Sequence, residues 1–474
     1  MDFLRPAGVF SLTGCFFLSH KTKISKSALI WEVKMNEKTT CDILIRNTSI
    51  LDENFQIRRS IFIAIQNGTI LSITSEEPSC LTATETIDGK DLLWMPGLID
   101  GHMHTGQQLL KGAVLDELPM IWTRIMLPFE STLTPEKMRL SASLAALEMI
   151  KNGTTGFVDA GSYFMEEAAR VYLASGLRGA LSHSSMDQGN FPDSIRQTTE
   201  EVLASEDRLF DEFHGKGNLK VFYSLRALMN CSTALIRATA GRATERNTFF
   251  QAHMNEYAGE VNYTLEKFQL RPVEYLDSLG VLNADFLSAH SIMVSAHERS
   301  LLAENQVKVV HCPFSNCGKG VPDTPSLLEQ GICTGLGTDG TAHGGLSLWN
   351  EMKIFRSVMN SFWGVKNADP AVMPAKTILK MATENGAHLL GEEKSGVLKE
   401  GFKADLISIN WRQPHLLATN NPVNTLLECV CGNDVSDSIV NGKLLMRNRQ
   451  VLTLDEEKIL WQAEKYFTSG EVSE

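Results

Sequence analysis

From residue 96 to residue 395 the chain repeats one unit: a short apolar run, then a segment long enough for a helix. The runs are "LIDGHMH", "TTGFVDA", "GLRGALSHS", "NLKVFYSLRA", "TFFQAHMNE", "DFLSAHS", "VKVVHCP" and "CTGLGTDG". Between the first two, "TPEKMRLSASLAALEMIKNG" predicts a helix that opens on a cap at Thr134 and closes at Gly153. "AHERSLLAENQ" predicts another. Eight such alternations point to the α/β class and to a (β/α)8 TIM-type barrel rather than an open sheet.

The flanks differ in texture. "CDILIRNTSIL", "RRSIFIAIQNGTILSIT" and, near the other end, "SDSIVNGKLLMRNRQVL" are short β-branched runs broken by Asn-Gly turns, which predict hairpins. We expect a small β-sandwich built from both chain ends, residues 35–95 and 396–474, around a barrel at 96–395. Residues 1–34 are expected to be an N-terminal extension without order. Their apolar patch "VFSLTGCFFLSH" is too short for a signal segment, and lysines follow it closely. No run approaches membrane-spanning length, so a cytoplasmic protein without a membrane partner is expected.

Composition excludes more than it identifies. The formal net charge of −12 argues against a nucleic-acid partner, which would call for basic clusters. Nine scattered cysteines form no paired zinc framework and are expected to be reduced thiols.

The first barrel strand ends "GLIDGHMH". Residues i and i+2 share one face of a strand, so His102 and His104 can point at one metal ion. Two satisfied histidines packed in a core would look the same. The other predicted strand ends weigh against that reading: Asp159, His183, Arg226, His253 with Glu256, His290, His311 and Asp339 follow in order. Barrel enzymes build their sites from the C-terminal ends of the strands, and metal ligands with acid–base groups recur there.

Taken together, "PGLIDGHMH", "HMNE", "AHS", "HCPFSN" and "GLGTDG" resemble the amidohydrolase superfamily in order and spacing over roughly residues 40–450. That resemblance implies that His102, His104, His253 and Asp339 hold one divalent metal ion per subunit, zinc or alternatively iron. Three imidazoles and a carboxylate leave a position for water, whose pKa the metal lowers toward neutrality. A bridging lysine of binuclear members has no counterpart, because Lys220 sits at the start of its strand. In the deaminase branch the Glu256 position carries the proton shuttle, and His290 orients the attacking water. Asp159, His183 and His311 are expected either to be supporting or structural or, equally, to touch substrate, with His343 a candidate neighbour of substrate.

Within the superfamily the likeness is to deaminases of methylthioadenosine and S-adenosylhomocysteine and to guanine deaminases. Glu130, in "IWTRIMLPFEST", stands where the adenosine-type enzymes keep a carboxylate for the ribose hydroxyls. Their arginine after the third strand is replaced by serines in "SHSS", although Arg196 could match a second one. Their histidine after the fourth strand is Arg226 here. The guanine enzymes pair a Gln shortly after HxH with an Arg after the fourth strand, which Gln107 and Arg226 match; guanidinium and amide donors suit an oxygenated base. A plain ion pair of Arg226 with a nearby acid is the structural alternative.

The expected activity is therefore hydrolytic removal of an exocyclic amine from a purine-type base or nucleoside, a small-molecule heterocycle, by a homo-oligomer. The same metal site attacking a cyclic amide or a chlorotriazine-like ring is the alternative. A non-enzymatic relative would lack ligands that are all present here.

Overall fold

The computed structural model describes residues 39–118 and 120–469. The predicted extension at 1–34 lies outside the described residues. The chain is mixed α/β.

Its central strands form two parallel five-stranded sheets. One carries Leu98–His104, Thr154–Asp159, Arg178–Leu181, Leu219–Val221 and the short Asp339–Gly340. The other carries Tyr223–Ala227, Phe250–Met254, Phe286–His290, Lys308–His311 and Thr334–Leu336. The sheets meet at both seams along continuous chain: Leu219–Val221 leads through Phe222 into Tyr223–Ala227, and Thr334–Leu336 leads into Asp339–Gly340. Asp339 pairs with Met103, so the last segment lies beside the first strand.

Helices follow the strands where the sequence pattern puts them. The helix Pro135–Asn152 starts on Thr134, whose side chain accepts from Lys137 N–H, and ends on Gly153 at φ +80°. A side chain there would be strained, and its Cβ would stand 2.8 Å from Ile407 Cδ1. Met138, Ala142, Ala145, Met149 and Ile150 line the buried face of this helix. The helix Ala296–Glu304 starts in a capping box on Ser295 and Glu298.

Strands from both ends of the chain join one nine-stranded sheet rather than two separate ones. Its centre is the antiparallel pairing of Leu92–Pro96 with Leu406–Asn410, in which Trp94 faces Ser408. Strand periodicity splits the side chains of this pair. Trp94 and Leu406 join Ile43, Ile63 and Ile439 in a core of the sheet itself, while Leu93, Met95, Ile407 and Ile409 pack with Met149 and Ile150 beneath the parallel strands. The Asn-Gly hairpins form as predicted, with Asn67, Gly68, Asn441 and Gly442 all at positive φ. The eight cysteines described are free thiols. No helix among the described residues is long and apolar enough to cross a membrane.

Candidate metal centre and active site

The C-terminal ends of the parallel strands bring His102, His104, His253, His290 and Asp339 into one buried cluster. His104 Nε2 lies 3.3 Å from Asp339 Oδ1 and 3.2 Å from His253 Nε2, and His102 Nε2 lies 3.7 Å from Asp339 Oδ1. A tetrahedral ion with bonds of about 2.0–2.1 Å separates its ligand atoms by about 3.3 Å, so these spacings are those of a zinc-sized hole. Ligand atoms of His102, His253, His290 and Asp339 also lie within 4.8 Å of one another. Both ring nitrogens of His102 and Nε2 of His290 are buried with no hydrogen-bond partner. Buried imidazole nitrogens without partners are costly unless a cation completes them, and the donor set therefore fits a divalent ion.

Electrostatics point the same way. Burial lowers the pKa of His104 to about 3, helped by Arg226, and that of His290 to about 4. Burial, His102 and Arg226 push His253 well below its ordinary value. These rings are neutral, as metal ligation requires. Burial alone would raise Asp339, but the imidazoles of His102 and His104 beside it and the charge of Lys319 hold its carboxyl well below the usual range. Backbone strain marks the same spot: His290 and Asp339 stand at φ +70° and +60°, in the left-handed region that costs a non-glycine residue about 1 kcal/mol or more.

The supporting carboxylates have structural work. Asp100 Oδ1 accepts from Thr338 N–H and Oδ2 from Thr338 Oγ1, tying the first strand to the segment that carries Asp339. Asp159 accepts from the backbone N–H groups of Thr105 and Gly161 and from the Thr105 hydroxyl, which fixes the turn after His104. His183 pairs with Gln197, and His311 Nδ1 donates to the His290 carbonyl, so neither joins the cluster. Lys220 reaches the Leu390 and Gly391 carbonyls and Glu392, away from the site. His290 Nδ1 donates to Asn316 Oδ1 at 3.0 Å, leaving the Nε2 lone pair facing Asp339 Oδ2 at 3.9 Å and Glu256 Oε1 at 3.8 Å.

Glu256 stands at the edge of the cluster with Lys319 Nζ 2.6 Å from its Oε1. Burial would raise its pKa, but the Lys319 ammonium and the hydrogen bond it donates more than offset that and bring it down to about 2. Lys319 has no strand-end position to signal it. Its one sequence cue is its place in "SNCGKG", the loop directly after "HCP".

A second buried group adjoins the first. Glu130 Oε1 accepts from Gln107 Nε2 at 2.7 Å and from Arg226 Nη2 at 3.3 Å, while Glu130 Oε2 and Gln107 Oε1 have no partner. Gly340 makes room for the amide, since a Cβ there would stand 1.7 Å from Gln107 Oε1. Arg226 Nη1 also donates to His104 Nδ1 at 3.1 Å. A neutral ring accepting there carries its proton on Nε2, so ligation through Nε2 calls for the other tautomer and release of that contact. The donors read from sequence as a clamp for a base carbonyl are thus committed to Glu130. Trp122 stacks below the guanidinium, 5.7 Å from its centre, and joins an apolar wall of Leu127, Tyr163, Met186, Phe191 and Ile195. Arg196 turns instead to Asp193 and the Phe191 carbonyl.

The family model described as "Amidohydrolase family" matches residues 93–445. A 5-methylthioadenosine/S-adenosylhomocysteine deaminase of Dictyoglomus turgidum is 34% identical over 435 residues, covering 89% of this chain and 97% of the relative. A 5'-deoxyadenosine deaminase of Methanosphaera stadtmanae is 32% identical, covering 90% and 98%. Among solved structures, an adenosine deaminase from Xanthomonas campestris with bound zinc superposes with a TM-score of 0.85 at 25% identity, covering 91% of this chain and 98% of that one.

Proposed function

This chain belongs to the amidohydrolase family and is a metal-dependent hydrolytic deaminase of purine-type compounds, and from that premise we propose that its substrate is an adenosine nucleoside altered at the 5' position. The observation that carries the substrate is Glu130. Its Oε2 is a buried carboxylate oxygen without a partner, beside the equally unpartnered acceptor Gln107 Oε1. Two acceptors complement the two O–H donors of a ribose diol; they do not complement a base carbonyl. The apolar wall of Trp122, Tyr163, Met186 and Phe191 suits an apolar 5' substituent.

The two parallel sheets are read as halves of one (β/α)8 barrel, supported by the continuous chain at both seams and the pairing of Asp339 with Met103. His102, His104, His253 and Asp339 would hold one zinc ion, with His290 beside it. Such an ion, when bound, brings the pKa of a water molecule toward neutrality. Asp339 and the His290 lone pair orient that water by sharing one of its hydrogens, which leaves the other for Glu256. Glu256, held ionised, takes a proton from the water and delivers it to the ring nitrogen next to the reacting carbon, which makes that carbon more electrophilic. The exocyclic amine leaves as ammonia after receiving the second proton, and the base keeps the oxygen.

Ammonia release from purified protein tests the reading against 5-methylthioadenosine, 5'-deoxyadenosine, S-adenosylhomocysteine, adenine and guanine. Nucleosides are expected to turn over and free bases to fail. A higher kcat/KM for guanine or adenine than for any nucleoside would overturn it.

A further inference from the structure

We propose that Lys319 is a positioning residue that aims the Glu256 carboxylate and, through Ser315, the Asp339 carboxylate at the reacting water. Lys319 Nζ donates to Glu256 Oε1 at 2.6 Å and to Ser315 Oγ at 2.8 Å. Ser315 Oγ in turn donates to Asp339 Oδ2 at 2.5 Å. One ammonium therefore links the two carboxylates that handle protons in the reaction.

The ammonium and the hydroxyl hold the carboxylate oxygens that face the His290 ring. Glu256 Oε1 lies 3.8 Å and Asp339 Oδ2 3.9 Å from His290 Nε2. The other Asp339 oxygen, Oδ1, faces His102 and His104. A carboxylate free to rotate would spread its population over several orientations, and catalytic groups gain rate from being held near the productive one. The loop that supplies the lysine is itself fixed: the Lys319 N–H donates to the Asn316 carbonyl, and Asn316 holds His290. Lys319 and the ring that orients the water are thus set by the same turn.

The proposal rests on the role given to Glu256, so E256Q is read first. A near-native rate in E256Q would overturn that role and this proposal with it, whereas a normal loss in E256Q leaves the lysine to be judged alone. K319M, K319R and the double variant K319M/E256Q are then compared for ammonia release from 5-methylthioadenosine, with metal content and thermal midpoint measured on each. K319M is expected to lower kcat at least about ten-fold with KM within about two-fold, and K319R to restore most of the rate. In the E256Q background the K319M change is expected to cost less than about two-fold, because the group it positions is already disabled. Equal losses in both backgrounds, a rise confined to KM, or loss of the metal from K319M would overturn the proposal. If K319M does not fold, K319Q, which keeps a hydrogen-bond donor without the charge, enters the same cycle with the same expectations.

Discussion

Gln107 donates its amide to the same Glu130 oxygen that Arg226 pairs with, so three residues read separately from sequence act as one buried unit. The unit turns a single carboxylate oxygen, Oε2, outward from its own hydrogen bonds.

That geometry makes Glu130 the residue whose change should depend on the sugar. In Glu130→Gln the acceptor at Oε2 becomes a donor or is lost. Losing a hydrogen bond to a charged group costs about 1.5–3 kcal/mol, or roughly ten- to a hundred-fold in kcat/KM. The wild-type enzyme should suffer a similar loss when both ribose hydroxyls are removed from the nucleoside, and E130Q should barely notice their removal. Steady-state kinetics on the four combinations decide it; an E130Q enzyme still sensitive to the hydroxyls would show that another group binds them.

Arg226 is predicted to matter for the protein before it matters for substrate. It is 4% exposed and Glu130 2%, so Arg226→Met leaves a buried carboxylate with no counter-charge. Removing one partner of a buried pair typically costs about 3–5 kcal/mol, while removing both costs less. The thermal midpoint of R226M should fall, and R226M/E130Q should recover part of the fall. A double variant no more stable than R226M would mean that Arg226 is held chiefly by its contacts with His104 and Trp122.

Metal removal should be visible in stability as well as in rate. Without a cation, His102 Nε2, which faces Asp339 Oδ1, remains buried and unpartnered. A ligand held at a hundred times its Kd stabilises a fold by about 2.7 kcal/mol. Chelation should therefore abolish ammonia release and lower the thermal midpoint together, and added zinc should restore both. Full turnover by protein shown to be metal-free would remove the metal from the mechanism.

How far the sequence alone reached follows from the kind of contact involved. Strand ends were legible because period-2 alternation and the barrel rule act locally; His102, His104, His253, His290 and Asp339 all lie at such ends. The capped helix at Pro135–Asn152 was legible for the same reason, its stop and start signals being adjacent residues. The Glu130 unit was legible only as the alternative of an ion pair for Arg226, since its members are 23 and 96 residues apart and nothing local names Glu130 as the partner. Lys319 was invisible because a lysine between two glycines reads as solvated loop, and only the turn after His311 carries it inward. Strands from the two chain ends meet in one hydrogen-bonded sheet through the pairing of Leu406–Asn410 with Leu92–Pro96, a register that no local pattern encodes.

A last prediction concerns a carboxyl outside the metal cluster. Glu206 is 1% exposed on the helix Thr199–Phe213; its Oε1 accepts from Ser185 Oγ and Ser224 N–H, and its Oε2 has no partner. Burial raises its pKa from the ordinary 4.5 to about 8, against the pull of those two hydrogen bonds. The folded state therefore holds a proton that the unfolded chain releases near 4.5, and stability is lost as pH rises from there through about 8. Glu206→Gln keeps the Oε1 acceptor and cannot ionise. Its thermal midpoint should match the wild type near pH 5 and exceed it near pH 8, with the gap widening by about 1.4 kcal/mol at most for each pH step of one across that range. Midpoints measured at both pH values settle the point: a difference between E206Q and wild type that is the same at each would mean that Glu206 is ionised in the folded protein, with its second oxygen paired after all.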